Sequence, residues 1–295
     1  MTLDRGAVEP ILHRAFAEDA PWGDVTSEAL VPVTATVTAE LVAREDGVFS
    51  GGDVFAWAMQ IADPGATTVV RVADGARFTA GCSLARVSGN ARAVLRAERV
   101  ALNLVQRMSG IATLTARYVE AVSGTSARIV DTRKTTPGLR ILERHAVRCG
   151  GAANHRFSLS DAVLAKDNHL AVLAQRGEDL TEALRRAKAS LSHTTHFEVE
   201  VDRLDQIEPV LAAGVDTIML DNFSPDDLAE GVRRVGGRAL TEASGGVNLD
   251  TAAAIAATGV DLISVGALTH SVRSLDLGLD ISVSGSAPVS APGSS

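Results

Sequence analysis

The sequence predicts an α/β protein in two parts, a smaller N-terminal α/β sandwich and then an α/β barrel, complete or incomplete. From residue 128 onward, short β-branched apolar runs alternate with stretches of helical periodicity. The links between them are short, which calls for parallel strands joined by right-handed crossovers. About six such units in the second half suit a barrel better than an open doubly wound sheet.

Along the first 108 residues the pattern is different. GAVEPILHRAFAE reads as a helix, EDAPWGDVTS as a polar turn, TATVTAELVA as a strand, DVFAWAMQIA as a helix and TTVVRVADG as a strand. DGARFTAGCSLARVSGNARAVL, with glycines between alternating apolar positions, reads as a hairpin of a small sandwich. A long helix follows in RAERVALNLVQRMSGIATLTARYVEAV, where Val100, Leu104, Ile111 and Leu114 have helical spacing. The barrel strands are expected in ARIVDT, DAVLAK, FEVEVD, DTIMLDN, RALTEAS and DLISVGA. Helices lie between them in LTEALRRAKASL, LDQIEPVLAAG, SPDDLAEGVRRVG and LDTAAAIAATG. The C-terminal SGSAPVSAPGSS is small and polar, so residues 286–295 are expected to be a disordered tail.

Composition narrows the function. The 295 residues are 46% hydrophobic, enough for a sizeable core, with a formal net charge of -8 and 3% aromatics. That balance lacks both the basic footprint and the stacking platforms of a nucleic-acid binder. No apolar stretch has the length of a membrane span, and the charged N-terminus does not resemble a signal peptide, so a cytoplasmic location is expected. Cys82 and Cys149 have no CxxC partner for zinc or redox work and are expected to be small buried residues.

Against this acidic background, DTRKTTPGLRILERHAVRCGGAANHR collects six Lys or Arg residues. Thr136 can cap a helix with Pro137 in its first position, and Gly150 with Gly151 can end it. Arg140, Arg144 and Arg148 then line one face, as a solvated stripe. Arg133, Lys134, His155 and Arg156 fall in loops, where side chains can converge on an anion.

Barrel strands deliver their C-terminal ends to one rim, where active sites form. Here those ends carry Arg133 and Lys134, Lys166 and Asp167, Glu200 and Asp202, Asp221 and Asn222, Glu242 and Ser244, and Gly266. Cations thus occupy the early strands and acids the middle ones. In the last two loops Ser244, Gly245, Gly246 and Gly266 can bring backbone amides close to a phosphate, before a helix that Asn248 can cap. Glu200 and Asp221 are too few for a metal cage but suit sugar hydroxyls, or magnesium already carried on a polyphosphate. The residues alone therefore describe a site for a phosphorylated sugar and a second, acidic molecule.

TRKTTPGLR, AVRCGG, NHR, VLAKDNH, EVEVD, LDNF, ASGG and VGALTHS, with GDVTS and ERVALN upstream, resemble the quinolinate phosphoribosyltransferase family across nearly the whole chain. The resemblance implies the type II phosphoribosyltransferase fold: an α/β sandwich over residues 1–108, joined by about 272–285, and an open barrel over 109–271. It implies transfer of phosphoribosyl from phosphoribosyl pyrophosphate to quinolinate with decarboxylation, giving nicotinate mononucleotide, pyrophosphate and CO2. Magnesium accompanies the phosphoribosyl pyrophosphate, and a homodimer brings Arg99 of ERVALN into the neighbouring pocket. By the same resemblance Arg99, Arg133, His155 and Arg156 surround the dicarboxylate, while Lys134 and Lys166 reach the phosphoribosyl and pyrophosphate groups. Glu200 and Asp221 hold the ribose and its magnesium, and Ser244, Gly245, Gly246, Val265, Gly266 and Ala267 bind the 5-phosphate. Thr132 and His270 stand within the same motifs and complete the expected binding set. Ser158 departs from the family's usual glycine after NHRF.

Other readings differ in chemistry: a related enzyme acting on nicotinate, a transport-associated homologue, a Schiff-base aldolase using Lys166, or a barrel that senses a phosphosugar. One geometric tension accompanies the main reading. If DAVLAK climbs to the rim at Lys166, its start lies roughly 17 Å below, so His155 and Arg156 reach the rim only if residues 152–160 double back.

Overall fold

The computed structural model describes residues 3–175 and 177–282. Its elements in chain order are α1 (Arg5–Asp19), α2 (Val25–Leu30), β1 (Thr36–Ala43), β2 (Gly47–Val48), α3 (Gly52–Ala62), β3 (Thr67–Val70), β4 (Arg77–Phe78), β5 (Ser83–Asn90) and α4 (Ala91–Ala121). Then come β6 (Arg128–Val130), α5 (Arg140–Cys149), β7 (Val163–Ala165), α6 (Asp167–Gln175), α7 (Leu180–Ala189), β8 (Phe197–Val201), α8 (Ile207–Ala212), β9 (Thr217–Asp221), α9 (Pro225–Val235), β10 (Leu240–Ser244), α10 (Leu249–Ala257), β11 (Leu262–Ser264), α11 (Ala267–His270) and β12 (Leu277–Ser282).

The chain divides into two compact units, neither of them continuous in sequence. Among the described residues the first takes those up to 113, 137–150 and those from 272 to 282, and the second takes those within 114–136 and 151–271. The first unit ends at residue 113, within the unbroken helix α4 and a few residues past the 108 read from the sequence. The transfer of 137–150, which contains α5, to the first unit was not expected. The tail over 286–295 lies outside the described residues.

In the first unit an antiparallel sheet has the order β12-β1-β5-β3, and β1 alternates so that Val37, Ala39, Leu41 and Ala43 point into the core. The expected hairpin around β4 does not form. β4 pairs with β2, while β5 lies between β1 and β3. GDVTS is not a simple turn: the Asp24 carboxylate accepts the Ser27 amide and starts α2. Asn90 accepts the Ala93 amide, which lets α4 begin five residues before the expected RAERV. α5 starts at Arg140, not Pro137, because Gly138 at φ 81° interrupts a helical path. Its Glu143 is buried and ion-paired to Arg107 on α4, 2.6 Å away. Cys82 and Cys149 are free thiols, but both are partly exposed rather than buried.

The second unit is built on a parallel six-stranded sheet of order β6-β11-β10-β9-β8-β7. Among the described residues β6 and β7 end the sheet, so the barrel is incomplete. β8 is buried throughout. Its Phe197, Val199 and Val201 take one side, and period-two alternation sends Glu198 and Glu200 to the other, inside the barrel. The parallel register sets Glu198 opposite Thr217 and Glu200 opposite Met219 of β9, which stand opposite Leu240 and Glu242 of β10, with Asp221 beside Ser244 at the strand ends.

Candidate active site

Residues 151–156 resolve the path problem. Val130 and Ala153 form a parallel bridge; Ala153 N donates to Ile129 O at 2.9 Å and Asp131 N donates to Ala153 O at 3.3 Å. The segment therefore rises beside β6 and emerges at the same rim as Arg133. Fully buried Asp131 holds it there, accepting from Asn154 Nδ2 and from the His155 amide, each at 2.7 Å. β7 spans only Val163–Ala165, so the chain has a short descent to make before reaching Lys166, not the roughly 17 Å inferred from a longer strand. Ser158 does not have the positive φ that would require glycine.

A cavity of about 640 Å³ at the strand C-termini is lined by Thr132, Arg133, Lys134, His155, Arg156 and Lys166 on its cationic side. Glu200, Asp221, Ser244, Gly245 and Gly246 face it from the acidic and glycine-bearing strands, with Asn222 between them. A second cavity of about 720 Å³ shares Glu200, Asp221 and Asn222 and carries Asp167, Glu178 and Asp202. The sorting of charge by sign expected from the sequence is thus present in space.

Burial and the adjacent Arg133 charge push the Arg156 guanidinium below its ordinary pKa. Two like charges held together this way are relieved by an anion. Arg156 is aimed by its Nη1, which donates to Ala162 O at 2.9 Å. Lys166 donates to Glu200, whose carboxylate is mostly buried. The Lys166 amide donates to His169 Nδ1 at 3.0 Å, so the start of α6 fixes the strand end that carries the lysine.

Below this surface His155 Nε2 lies 3.1 Å from Glu198 and 3.5 Å from Glu242, both buried. Burial alone would lower the His155 pKa, but the Glu198 bond and the charges of Glu242 and Glu198 outweigh it and raise the value. When the ring is neutral, the Arg156 amide donates to His155 Nδ1 at 2.7 Å, and the ring proton then sits on Nε2, toward the acids. Burial first, then the Glu198 charge, push the Glu242 carboxyl up to about 8. Sequence reasoning placed Glu242 at a strand end and gave Glu198 no role; the alternation of β8 was the available signal.

The glycine-bearing loops are tightly specified. Gly245 has φ 88°, and a Cβ there would meet Asn222 Oδ1 at 2.1 Å. Asn222 is itself left-handed at φ 58°, with its amide donating to Ser244 O at 2.8 Å and its side chain to Asp221 at 2.7 Å. A Cβ on Gly266 would meet His270 Nε2 at 3.0 Å and Lys134 Cδ at 3.1 Å, which places His270 beside Lys134. Buried Thr269, missed in the sequence, donates to Lys134 O at 2.8 Å and anchors that loop. Two expectations change. The Val265 amide already donates to Val130 O at 3.0 Å, leaving Gly266 and Ala267 for any phosphate contact in that loop. Asn248 caps α10 as expected, but in doing so it takes the Asp250 and Thr251 amides, so the start of that helix does not offer them to a ligand. Arg99 is exposed on α4 in the first unit.

An incomplete parallel barrel with paired guanidinium groups, a lysine–carboxylate pair and close glycine turns at one rim defines a phosphoribosyltransferase-type site. Family models for the quinolinate phosphoribosyl transferase N-terminal and C-terminal domains match residues 24–109 and 111–280, and the chain belongs to that family. It is 46% identical to a nicotinate-nucleotide pyrophosphorylase [carboxylating] of Mycobacterium leprae, covering 93% of this chain and 97% of that one. It is 40% identical to a probable enzyme of the same name from Bacillus subtilis, over 94% of each chain. The crystal structure of NadC from Streptococcus pyogenes superposes with a TM-score of 0.89 at 38% identity, over 95% of this chain and 99% of that one.

Proposed function

We propose that this chain transfers the phosphoribosyl group of phosphoribosyl pyrophosphate to quinolinate with loss of CO2, forming nicotinate mononucleotide and pyrophosphate in NAD biosynthesis. The observation that carries this reading is the convergence of Arg133, His155 and Arg156 at one rim with the Lys166–Glu200 pair. Curated relatives bear the names nicotinate-nucleotide pyrophosphorylase [carboxylating] and quinolinate phosphoribosyltransferase [decarboxylating].

Arg133 and Arg156 take the two carboxylates of quinolinate, each charge-assisted contact contributing about 1.5–3 kcal/mol. Departure of pyrophosphate leaves positive charge on the sugar C1, and Glu200 and Asp221 stabilise it electrostatically. Lys134 and Lys166 neutralise the leaving group; Lys166 exchanges its bond with Glu200 for the pyrophosphate. The ring nitrogen then bonds to C1. The resulting pyridinium accepts the electron pair left when the adjacent carboxylate departs as CO2, and a proton replaces it. No protein nucleophile is needed. Ser244, Gly245, Gly246, Gly266 and Ala267 hold the 5-phosphate.

Magnesium enters on phosphoribosyl pyrophosphate. Two carboxylates, one of them bonded to Lys166, fit an ion that brings its other oxygens from the substrate rather than a resident metal. The bound ion offsets the charge of the diphosphate.

The same reading makes the enzyme a cytoplasmic homodimer in which Arg99 completes the neighbouring site. Exposed Trp22, Val25, Leu30 and Val33 cluster around α2 and support burial against a second copy. Among the described residues no helix is long and apolar enough to cross a membrane.

The deciding experiment incubates the purified protein with quinolinate, phosphoribosyl pyrophosphate and magnesium. Nicotinate mononucleotide and pyrophosphate in equal amounts are expected. Their absence, from protein shown to be folded, would overturn the assignment.

A further inference from the structure

A second cluster of metal-ligating side chains lies in the first unit and takes no part in the chemistry above. His145 and Cys149 are four residues apart on α5, one helical turn, so both project from one face. Asp74, in the loop after β3, meets them: its Oδ2 is 2.7 Å from His145 Nε2 and 3.9 Å from Cys149 Sγ. One ligand atom from each of the three lies within 4.8 Å of the others.

Asp74 is held for this approach from behind. Its Oδ1 accepts the amides of Gly51 and Gly52 at 3.0 and 2.9 Å, the Gly51 amide being shared with Oδ2 at 3.1 Å, and Oδ2 also faces the histidine and the thiol. Ser50 Oγ donates to Cys149 Sγ at 3.3 Å and helps fix the position of the sulfur. The cluster opens on a surface cavity of about 460 Å³, where Asp53 and Arg148 offset each other.

We propose that Asp74, His145 and Cys149 form a zinc site with its fourth position open to water. Thiolate, imidazole and carboxylate together suit Zn²⁺ better than magnesium or calcium, which prefer oxygen ligands. The geometry favours chelation over a cysteine–histidine–aspartate relay. In a relay the three groups stand in a line, whereas here they face one another pairwise: Asp74 Oδ2 meets both partners and His145 also bonds to Cys149. With zinc bonds of about 2.0–2.3 Å, neighbouring ligand atoms stand about 3.3–3.7 Å apart, so the Asp74–His145 and Asp74–Cys149 separations need change by only about half an ångström to admit the ion. Bound zinc would fasten the loop after β3 to the last turn of α5.

The test uses the full chain without a histidine tag, stripped with a chelator and kept reduced with a phosphine. Zinc titration is expected to give one ion per chain and to raise the melting temperature. Cobalt substitution should produce a thiolate-to-metal charge-transfer band. Cys149→Ser and His145→Gln should each weaken zinc binding by more than about 100-fold, and Ser50→Ala by about 10- to 100-fold as loss of an outer partner. Cys82→Ser should leave it unchanged. Independently of any variant, zinc should slow alkylation of Cys149 relative to Cys82 in the wild-type chain. No cobalt band, or zinc-insensitive alkylation of Cys149 faster than that of Cys82, would overturn the proposal, the second outcome favouring a nucleophilic thiol.

Discussion

Glu242 Oε1 stands 3.5 Å from His155 Nε2 on the buried floor of the barrel site, with Glu198 on the same nitrogen. Glu242 is raised from an ordinary 4.5 to about 8, first by burial and then by the Glu198 charge. A carboxyl raised on folding binds its proton more tightly in the native state. Its stabilisation is full below about 4.5 and is lost as pH rises through about 8. The raised His155 acts in the same sense, losing its contribution as pH climbs through its folded value. Denaturant midpoints should therefore fall from about pH 5 to about pH 9. Glu242→Gln should flatten that fall; an unchanged slope would show that Glu242 is ionised throughout.

Lys166 is held by Glu200 and faces the leaving group in the proposed reaction. Lys166→Ala should lower kcat by about 10²-fold or more while quinolinate affinity, measured by calorimetry, moves less than about 3-fold. The opposite split would move Lys166 to the dicarboxylate.

Arg133 and Arg156 are close enough for one to depress the other's pKa. A ligand with two carboxylates should satisfy both, whereas nicotinate leaves one unmatched and should show kcat/KM lower by about 10²-fold or more. Arg156→Met should cost quinolinate more than nicotinate and narrow the gap. Equal efficiency of the wild type on both acids would refute the pairing.

Gly245 has no room for a side chain beside Asn222 and adopts φ 88°. Gly245→Ala should cost about 1–3 kcal/mol of stability and raise the KM for phosphoribosyl pyrophosphate more than that for quinolinate. Equal effects on both would argue against a phosphate role for this turn.

Glu143 is buried against Arg107, which is itself about a quarter exposed. Glu143→Gln should destabilise the protein by about 2–4 kcal/mol, the partial exposure of the arginine softening the loss. The check is chemical denaturation, with the urea m-value confirming that the folded state is otherwise intact.

Much of this was legible because it depends on local pattern. Strand–helix alternation sufficed for the parallel sheet, and strand-end residues sufficed for placing Arg133, Lys166, Asp221 and Ser244 at the cavity. What escaped depends on distance in sequence. Glu198 and Glu242 become a buried pair only when β8 and β10 curve around the same interior. Pro137 looked like a helix start, but Gly138 in a left-handed turn delayed α5 to Arg140. Cys149 looked isolated because its companion Asp74 is 75 positions away and no spacing rule links them.

The C-terminal β12 pairs with β1 along the edge of the first sheet. During synthesis, β1 must wait for nearly the whole polypeptide to leave the ribosome before that edge is covered. All strands of the second unit precede residue 272, so its sheet can assemble earlier although it lies later in the gene. A chain released prematurely after β11 would retain every residue lining the barrel cavity yet expose a raw β-edge, a surface that invites aggregation.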